Sequence, residues 1–327
     1  MTYRSIYILR IVFLSTLIAI VDFSGDIRAQ DNLTYSQYML NQEGFNPAAC
    51  GRIMETTVNF MTRQQWVGLA GSPRISALSF YTRLPEKHYL IGSLYGKKRH
   101  SLRSDPGPLG FGAYLYNDKT GTISKTGLNT SYAYHIDMGD SQLSFGLAIV
   151  LFQFKIDGSD FIFSDDQADP LMGQDMNQSF TNLDANFGVY FMGENYFAGY
   201  SATQLFNSAA QFGVDGDARY KINRAHHFIA GYTFEINKEI SIQPNTLIQI
   251  PEDMLTRLSF GVDGMYQKKF SVGLNYKTGS ALSFHGGVIV DRYRVGYAFD
   301  YNFSDIMPGT YGSHEIFISA KIGKLYR

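Results

Sequence analysis

Cysteine is almost absent: Cys50 is the only one among 327 residues. That excludes an internal disulfide framework and a cysteine-rich zinc site. It does not fix the compartment, since an exported chain can lack disulfides. Charge is scarce as well, at 17% of residues, against about a quarter in an ordinary soluble domain. The 28 basic and 29 acidic side chains nearly cancel, and a net charge of −1 excludes the basic excess of a nucleic-acid binder. Past the N-terminus no stretch approaches 18 apolar residues, so no transmembrane helix is expected, and a mean hydropathy of −0.14 excludes a polytopic helical membrane protein. What is plentiful is aromatic and small: 25 Phe, 23 Tyr and 32 Gly. Strands and sheet bends use that mixture, and 45% hydrophobic residues exclude disorder.

The N-terminus reads as an address. Arg4 and Arg10 precede an 11-residue apolar run, Ile11 to Val21, too short for the roughly 20 residues that span a bilayer. Polar residues follow at once, and Ala29 supplies a small residue before a cut. Residues 1–29 are therefore expected to be a secretory signal peptide, rather than an anchor or buried helix. Cys50 lies too far downstream to be a lipoprotein cysteine.

The rest of the chain alternates with period two. In 143–151, Leu143, Phe145, Leu147, Ile149 and Leu151 face one way. In 293–301, Tyr293, Val295, Tyr297, Phe299 and Tyr301 oppose Arg294, Gly296 and Asp300. Helical geometry would scatter such residues; a strand sorts them onto two faces. Here one face is large and apolar, the other small or polar. Fourteen strands are expected, near 54–62, 75–83, 109–117, 126–136, 141–154, 182–192, 195–203, 225–236, 239–250, 256–266, 269–277, 280–290, 293–303 and 313–323. Their length, about 9–12 residues, suits a tilted membrane-crossing strand better than the soluble norm of about 5–6. Tyrosines cluster near strand ends (Tyr114, Tyr116, Tyr132, Tyr134, Tyr190, Tyr196, Tyr266, Tyr276, Tyr293), as interfacial girdles do. Very short turns at 137–140, 193–194, 237–238, 267–268 and 291–292 all fall on one side, and the long loops 155–181 and 204–224 on the other. Outer-membrane barrels have that asymmetry.

The expectation is an all-β, transmembrane, antiparallel up-and-down barrel of about 14 strands over residues 54–327. A periplasmic segment, 30–53, precedes it. A soluble β-sandwich is the structural alternative. Residues 84–108 resist the scheme as a long connection on the short-turn side, within which 89–95 would make a fifteenth strand. Arg327, not an aromatic, ends the chain.

Several segments in sequence carry a resemblance. They are Gln30-Asp31, Tyr35-Ser-Gln-Tyr-Met39, Asn46-Pro47-Ala48, Arg63-Gln-Gln65-Trp66-Val-Gly68, Asn117-Asp118-Lys119-Thr-Gly121, Ser131-Tyr-Ala-Tyr-His135, Ser201-Ala-Thr203-Gln204 and Gly312-Ser313-His314-Glu315. Their order and spacing resemble PorP/SprF-type proteins, outer-membrane barrels of the type IX secretion system of Bacteroidetes. The likeness covers almost all of 30–323 and departs at 84–108. It implies a non-enzymatic barrel that assists secretion or surface attachment of cargo, gliding or adhesive proteins among them. The implied partners are the type IX C-terminal domain of a secreted cargo protein and the periplasmic ring or lipoprotein components of the machine, within outer-membrane lipid. No cofactor is implied.

Individual residues admit bland and functional readings. Arg63, Gln65 and Trp66 are placed after the first strand on the outer side. Trp66 could anchor a partner and Arg63 pair with a carboxylate; loop architecture, with Trp at the interface, is favoured. Asn46 and Pro47 could plug the lumen, bind a periplasmic partner, or simply initiate a turn. Asn117, Asp118, Lys119 and Gly121 read as a hairpin loop rather than a ligand site. Loop 155–181 holds six Asp, without EF-hand spacing. The basic 84–108 segment would suit an acidic partner or be a mobile insertion. His135, Asp184, Glu235, Asp263, His285 and Asp300 are expected in the lumen, where polar residues belong without catalysis. A solute channel is the alternative to a docking barrel.

Overall fold

The computed structural model describes residues 35–85, 106–156, 178–207, 209–212, 218–252, 255–303 and 309–322. After three short 3-10 turns, Tyr38–Leu40, Gln42–Gly44 and Pro47–Ala49, everything regular is strand. The first seven strands are β1 (Thr56–Gln64), β2 (Arg74–Pro85), β3 (Pro106–Thr120), β4 (Ile123–Met138), β5 (Ser141–Ile156), β6 (Gln178–Met192) and β7 (Tyr196–Thr203). A small hairpin, β8 (Ala209–Phe212) with β9 (Ala218–Lys221), interrupts the following loop. Then come β10 (Ala225–Tyr232), β11 (Phe234–Glu235), β12 (Ile240–Pro251), β13 (Arg257–Tyr266), β14 (Phe270–Lys277), β15 (Ala281–Val290), β16 (Tyr293–Asn302) and β17 (Ser313–Ile322).

Every barrel strand pairs antiparallel with its neighbours, and β1 pairs with β17, so the sheet closes on itself. β11 continues β10 after a break at Thr233, and both pair with β12, which leaves fourteen staves. Closure removes the open edge that lipid cannot solvate. The expected strands are present. Four of them, β3 to β6, run 15 or 16 residues, longer than expected, because they continue past the apolar band at the long-loop end, and β3 and β4 at the short-turn end as well. Short turns are not confined to one side: 121–122 and 278–280 are short connections on the long-loop side. The suggested strand at 89–95 lies outside the described residues.

The outward face is organised in rows across hydrogen-bonded neighbours. One row reads Phe60, Leu78, Leu115, Leu128, Leu151 and Leu183, and all six are exposed. Apolar rows continue toward the short-turn end as far as Ile136, Leu143 and Phe191. From Leu183 to Phe191 is about 27 Å along the strand at ~3.4 Å per residue. At a tilt of about 40° that is roughly 21 Å of height, close to the ~25 Å apolar belt of outer-membrane barrels. Two residues the other way the row becomes Thr62, Ser76, Asn117, Thr126, Gln153 and Thr181, wholly polar. The hydrocarbon boundary falls between these rows.

Alternation sends the remaining residues inward. Tyr132, Tyr134, Tyr196, Tyr266 and Tyr293 are exposed, as a girdle requires. Tyr114, Tyr116 and Tyr190 are buried in the lumen instead. They lie on the even-numbered, inward face of their strands, where the Tyr114 hydroxyl meets that of Tyr35 and the Tyr190 hydroxyl donates to Gln42.

Candidate functional site: the filled lumen

The lumen is occupied by the chain's own N-terminal segment. A separate periplasmic segment was expected over 30–53; of it, residues 35–50 lie inside the barrel, with Tyr35, Tyr38, Ala48, Ala49 and Cys50 all buried. The reason is a seat of small residues. Across the inner face, one row of the wall reads Gly110, Ala133, Gly146, Gly188 and Ser201. A Cβ on Gly146 would meet the backbone of Pro47 and Ala48, and one on Gly188 would meet the Asn46 side chain. Only glycine lets the plug backbone come that close.

Asn46 locks the segment into this seat. Its Oδ1 accepts from the Ala48 amide at 3.0 Å, capping the Pro47–Ala49 turn. Its Nδ2 donates to the wall carbonyls of Val189 and Tyr200, both at 3.3 Å. Asn46 and Pro47 thus form a turn that is also part of the plug.

A second anchor lies toward the long-loop end. Arg63 was expected in a loop. It belongs to β1, which starts and ends two residues later than expected, and points inward, 5% exposed. Its Nη2 lies 2.6 Å from Asp300 Oδ2 and its Nη1 3.4 Å from Glu315 Oε2. Lys277 Nζ is 3.0 Å from Asp300 Oδ2. The two cations and two carboxylates balance, as buried charge must. They also grip the plug: the amides of Ser36 and Gln37 donate to Glu315 at 2.7 and 2.9 Å. The Ser36 hydroxyl reaches Asp300 at 2.6 Å, and Arg63 donates to that hydroxyl.

Further ties ring the segment. The hydroxyls of Tyr35 and Tyr114 are 2.6 Å apart, and Tyr38 donates to Asn245 at 2.5 Å. His135 bridges the Cys50 carbonyl, at 3.0 Å, and Ser144, at 2.7 Å. Arg52 donates to Gln42 at 2.5 Å and Tyr190 at 2.8 Å. Its Nε stands 3.9 Å from Glu43, a buried carboxylate. Burial pushes the Glu43 carboxyl up, and Arg52 only partly offsets it. Burial likewise pushes the Cys50 thiol well up, and Glu43 adds to the shift.

Below the plug a cavity of about 400 Å³ is lined by Tyr38, Arg52, Tyr190, Phe197, Asp263 and Arg294, with the short turn 193–196 at its mouth. Asp263 is held by His285 at 2.6 Å and Asn245 at 2.7 Å.

The remaining sequence-predicted residues are not brought together. The Gln65 amide donates to the Pro73 carbonyl at 2.8 Å. Trp66 adopts φ +46° and its amide donates to Ser313 at 3.2 Å, so both shape the β1–β2 loop. Asn117, Asp118 and Lys119 lie within β3 rather than in a loop: Asn117 and Lys119 face outward, and Asp118 is buried inward. Gly121 alone takes the turn, at φ +57°, its amide donating to Gly71 at 2.9 Å. Glu235 is exposed at the short-turn rim, while His135, Asp184 and Asp300 are buried inside. Sequence reasoning missed Ser36, Lys277 and Glu315 as a network with Arg63. For Lys277 and Glu315 the one signal was charge on the inward face of alternating strands; Ser36 had none. Among the described residues no group of three His, Cys, Asp or Glu is placed to hold a metal ion.

The architecture defines the class: an outer-membrane β-barrel whose lumen is filled from its own N-terminal side. The model of the type IX secretion system membrane protein family PorP/SprF matches residues 27–320, and the chain belongs to that family. No curated protein matches the sequence. Among solved structures, the chain is similar to a Pseudomonas aeruginosa FadL homologue (10% identity, TM-score 0.47, 84% of this chain and 92% of that one). It is similar also to the Ralstonia pickettii toluene transporter TbuX (10%, 0.45, 84% and 90%) and to Acinetobacter baumannii Omp33 (8%, 0.44, 82% and 99%). Likeness at this level bears no weight for function.

Proposed function

We propose that this barrel is a non-enzymatic docking component of type IX secretion. It assists secretion or surface attachment of a cargo protein, of adhesin or gliding type, by binding that cargo or the periplasmic machinery. Residues 1–29 serve as its export signal. The observation that carries the reading is the filled lumen. Asn46 is bonded to the β6 and β7 wall, Tyr38 to β12 and Ser36 to β16 and β17, so the interior is committed to the chain's own segment. A barrel so occupied serves recognition at its rims better than bulk permeation. Purified protein in a planar bilayer tests this: little open current is expected, and steady, large conductance would instead favour a solute channel. Co-purification from membranes should bring down a cargo C-terminal domain or a periplasmic ring component. A barrel that purifies alone under conditions that keep the machine intact would count against docking.

The channel reading keeps one observation on its side, the 400 Å³ cavity at the short-turn mouth. Its size lies within the range of small-molecule pockets, about 300–1,000 Å³.

A further inference from the structure

Beyond the neutral polar row on the outward face lies a third, two residues farther toward the long-loop end. It reads Gln64, Arg74, Lys119, Ser124, Lys155 and Ser179. It holds three cations and no carboxylate. Arg74, Lys119 and Lys155 are all exposed. The ion pairs among the described residues involve other side chains. Arg74 and Lys119 are direct cross-strand partners, an arrangement of like charges that is unfavourable unless an anion sits between them.

The position of the row says which anion. The leucine row marks the hydrocarbon edge, and the cationic row stands four residues beyond it, about 14 Å along the strands. That is headgroup depth, on the long-loop side and so in the outer leaflet. The row between offers neutral hydrogen-bonding groups: Ser76, Asn117, Thr126 and Gln153. Asn117 donates to Thr126 at 2.7 Å and to Ser124 at 3.3 Å, which holds this surface in order.

The geometry points to a docking surface on β2 to β5 for the phosphate groups of an anionic outer-leaflet lipid headgroup. Arg74 can take a phosphate with two parallel N–H donors, Lys119 and Lys155 add point charges, and the polar row below meets the rest of the headgroup.

The test uses the full folded barrel in phosphatidylcholine nanodiscs, with fluorescent bisphosphorylated lipid A as probe. Wild type is compared with the triple variant R74Q/K119Q/K155Q and with the charge-keeping variant R74K/K119R/K155R. Heat-shifted gel migration checks that each barrel is folded. At about fivefold per cation, the triple Gln variant should bind about a hundredfold more weakly. The charge-keeping variant should stay within about fivefold of wild type, on the same one-cation scale. Dephosphorylated lipid A should bind wild type as poorly as the phosphorylated lipid binds the Gln variant. Equal binding by wild type and the folded Gln variant would overturn the inference, as would indifference to lipid phosphate. Inorganic phosphate that displaces the lipid at equal concentration would assign the site to a free anion instead.

Discussion

Replacing Gly146 by Val drives a wedge between wall and plug while leaving the wall content, because a β-branched residue suits a strand. The new Cβ would stand 2.6 Å from Ala48 Cα and closer still to the Pro47–Ala48 peptide, where carbon contacts need about 3.5–4.0 Å. The plug must move by more than ~1 Å. Overpacking of this kind costs about 1–3 kcal/mol, and losing the Asn46 bonds to Val189 and Tyr200 costs about 1 kcal/mol each. If half of that sum is recovered by relaxation, the seated state loses about 1.5–2.5 kcal/mol, which raises the unseated population about 10- to 60-fold. The protein carries its own reporter. Cys50 is the only cysteine, fully buried, and its raised thiol pKa keeps it unreactive. Maleimide labelling of the folded barrel should be slow in wild type and faster by that factor in G146V. Wild-type labelling as fast as a surface thiol, or equal rates in the two proteins, would refute a seated plug.

Other outcomes follow from the same contacts. Arg63→Ala leaves Asp300 and Glu315 facing Lys277 alone; it should cost about 3–5 kcal/mol and lower the temperature at which the barrel loses its heat-shifted migration. Glu43 has a raised carboxyl pKa when seated, so the seated plug holds that proton more tightly than the released one. Seating should strengthen as pH falls through the raised value toward the ordinary carboxyl range, and weaken above it. Labelling of Cys50, corrected for thiolate fraction with a free-thiol standard, should therefore slow on acidification, and Glu43→Gln should abolish that trend. Leu147→Arg, in the middle apolar row, should destabilise by about 2–4 kcal/mol, and Thr126→Arg, past the boundary, by about 1 kcal/mol at most. Equal costs in urea unfolding from lipid would misplace the boundary.

How much was legible depended on period. The staves were, because Leu143 to Leu151 or Tyr293 to Tyr301 repeat every second residue, and lipid enforces that repeat on every strand. The plug was only one of three readings, since residues 35–50 have no repeat and are held by side chains far away in sequence. Ser36 meets Asp300 and Glu315 across more than 260 positions. Arg63 was misplaced because β1 runs two residues past its apolar pattern, where the inward face turns from packing to charge. Tyr114, Tyr116 and Tyr190 were assigned to the girdle because nothing local tells an interfacial tyrosine from one bonded into the lumen. The leucine row required register, which pairs Leu78 with Leu115 and Leu151 with Leu183 only once the strands are laid side by side.

The grip of Glu315 on Ser36 and Gln37 ties the final stave to a stretch that precedes the first one. That carboxylate sits on the same stave that closes the barrel against β1. Loss of that stave would open the seam and free the Ser36 end of the plug from Glu315 together, so closure of the wall and the hold on the plug share one strand.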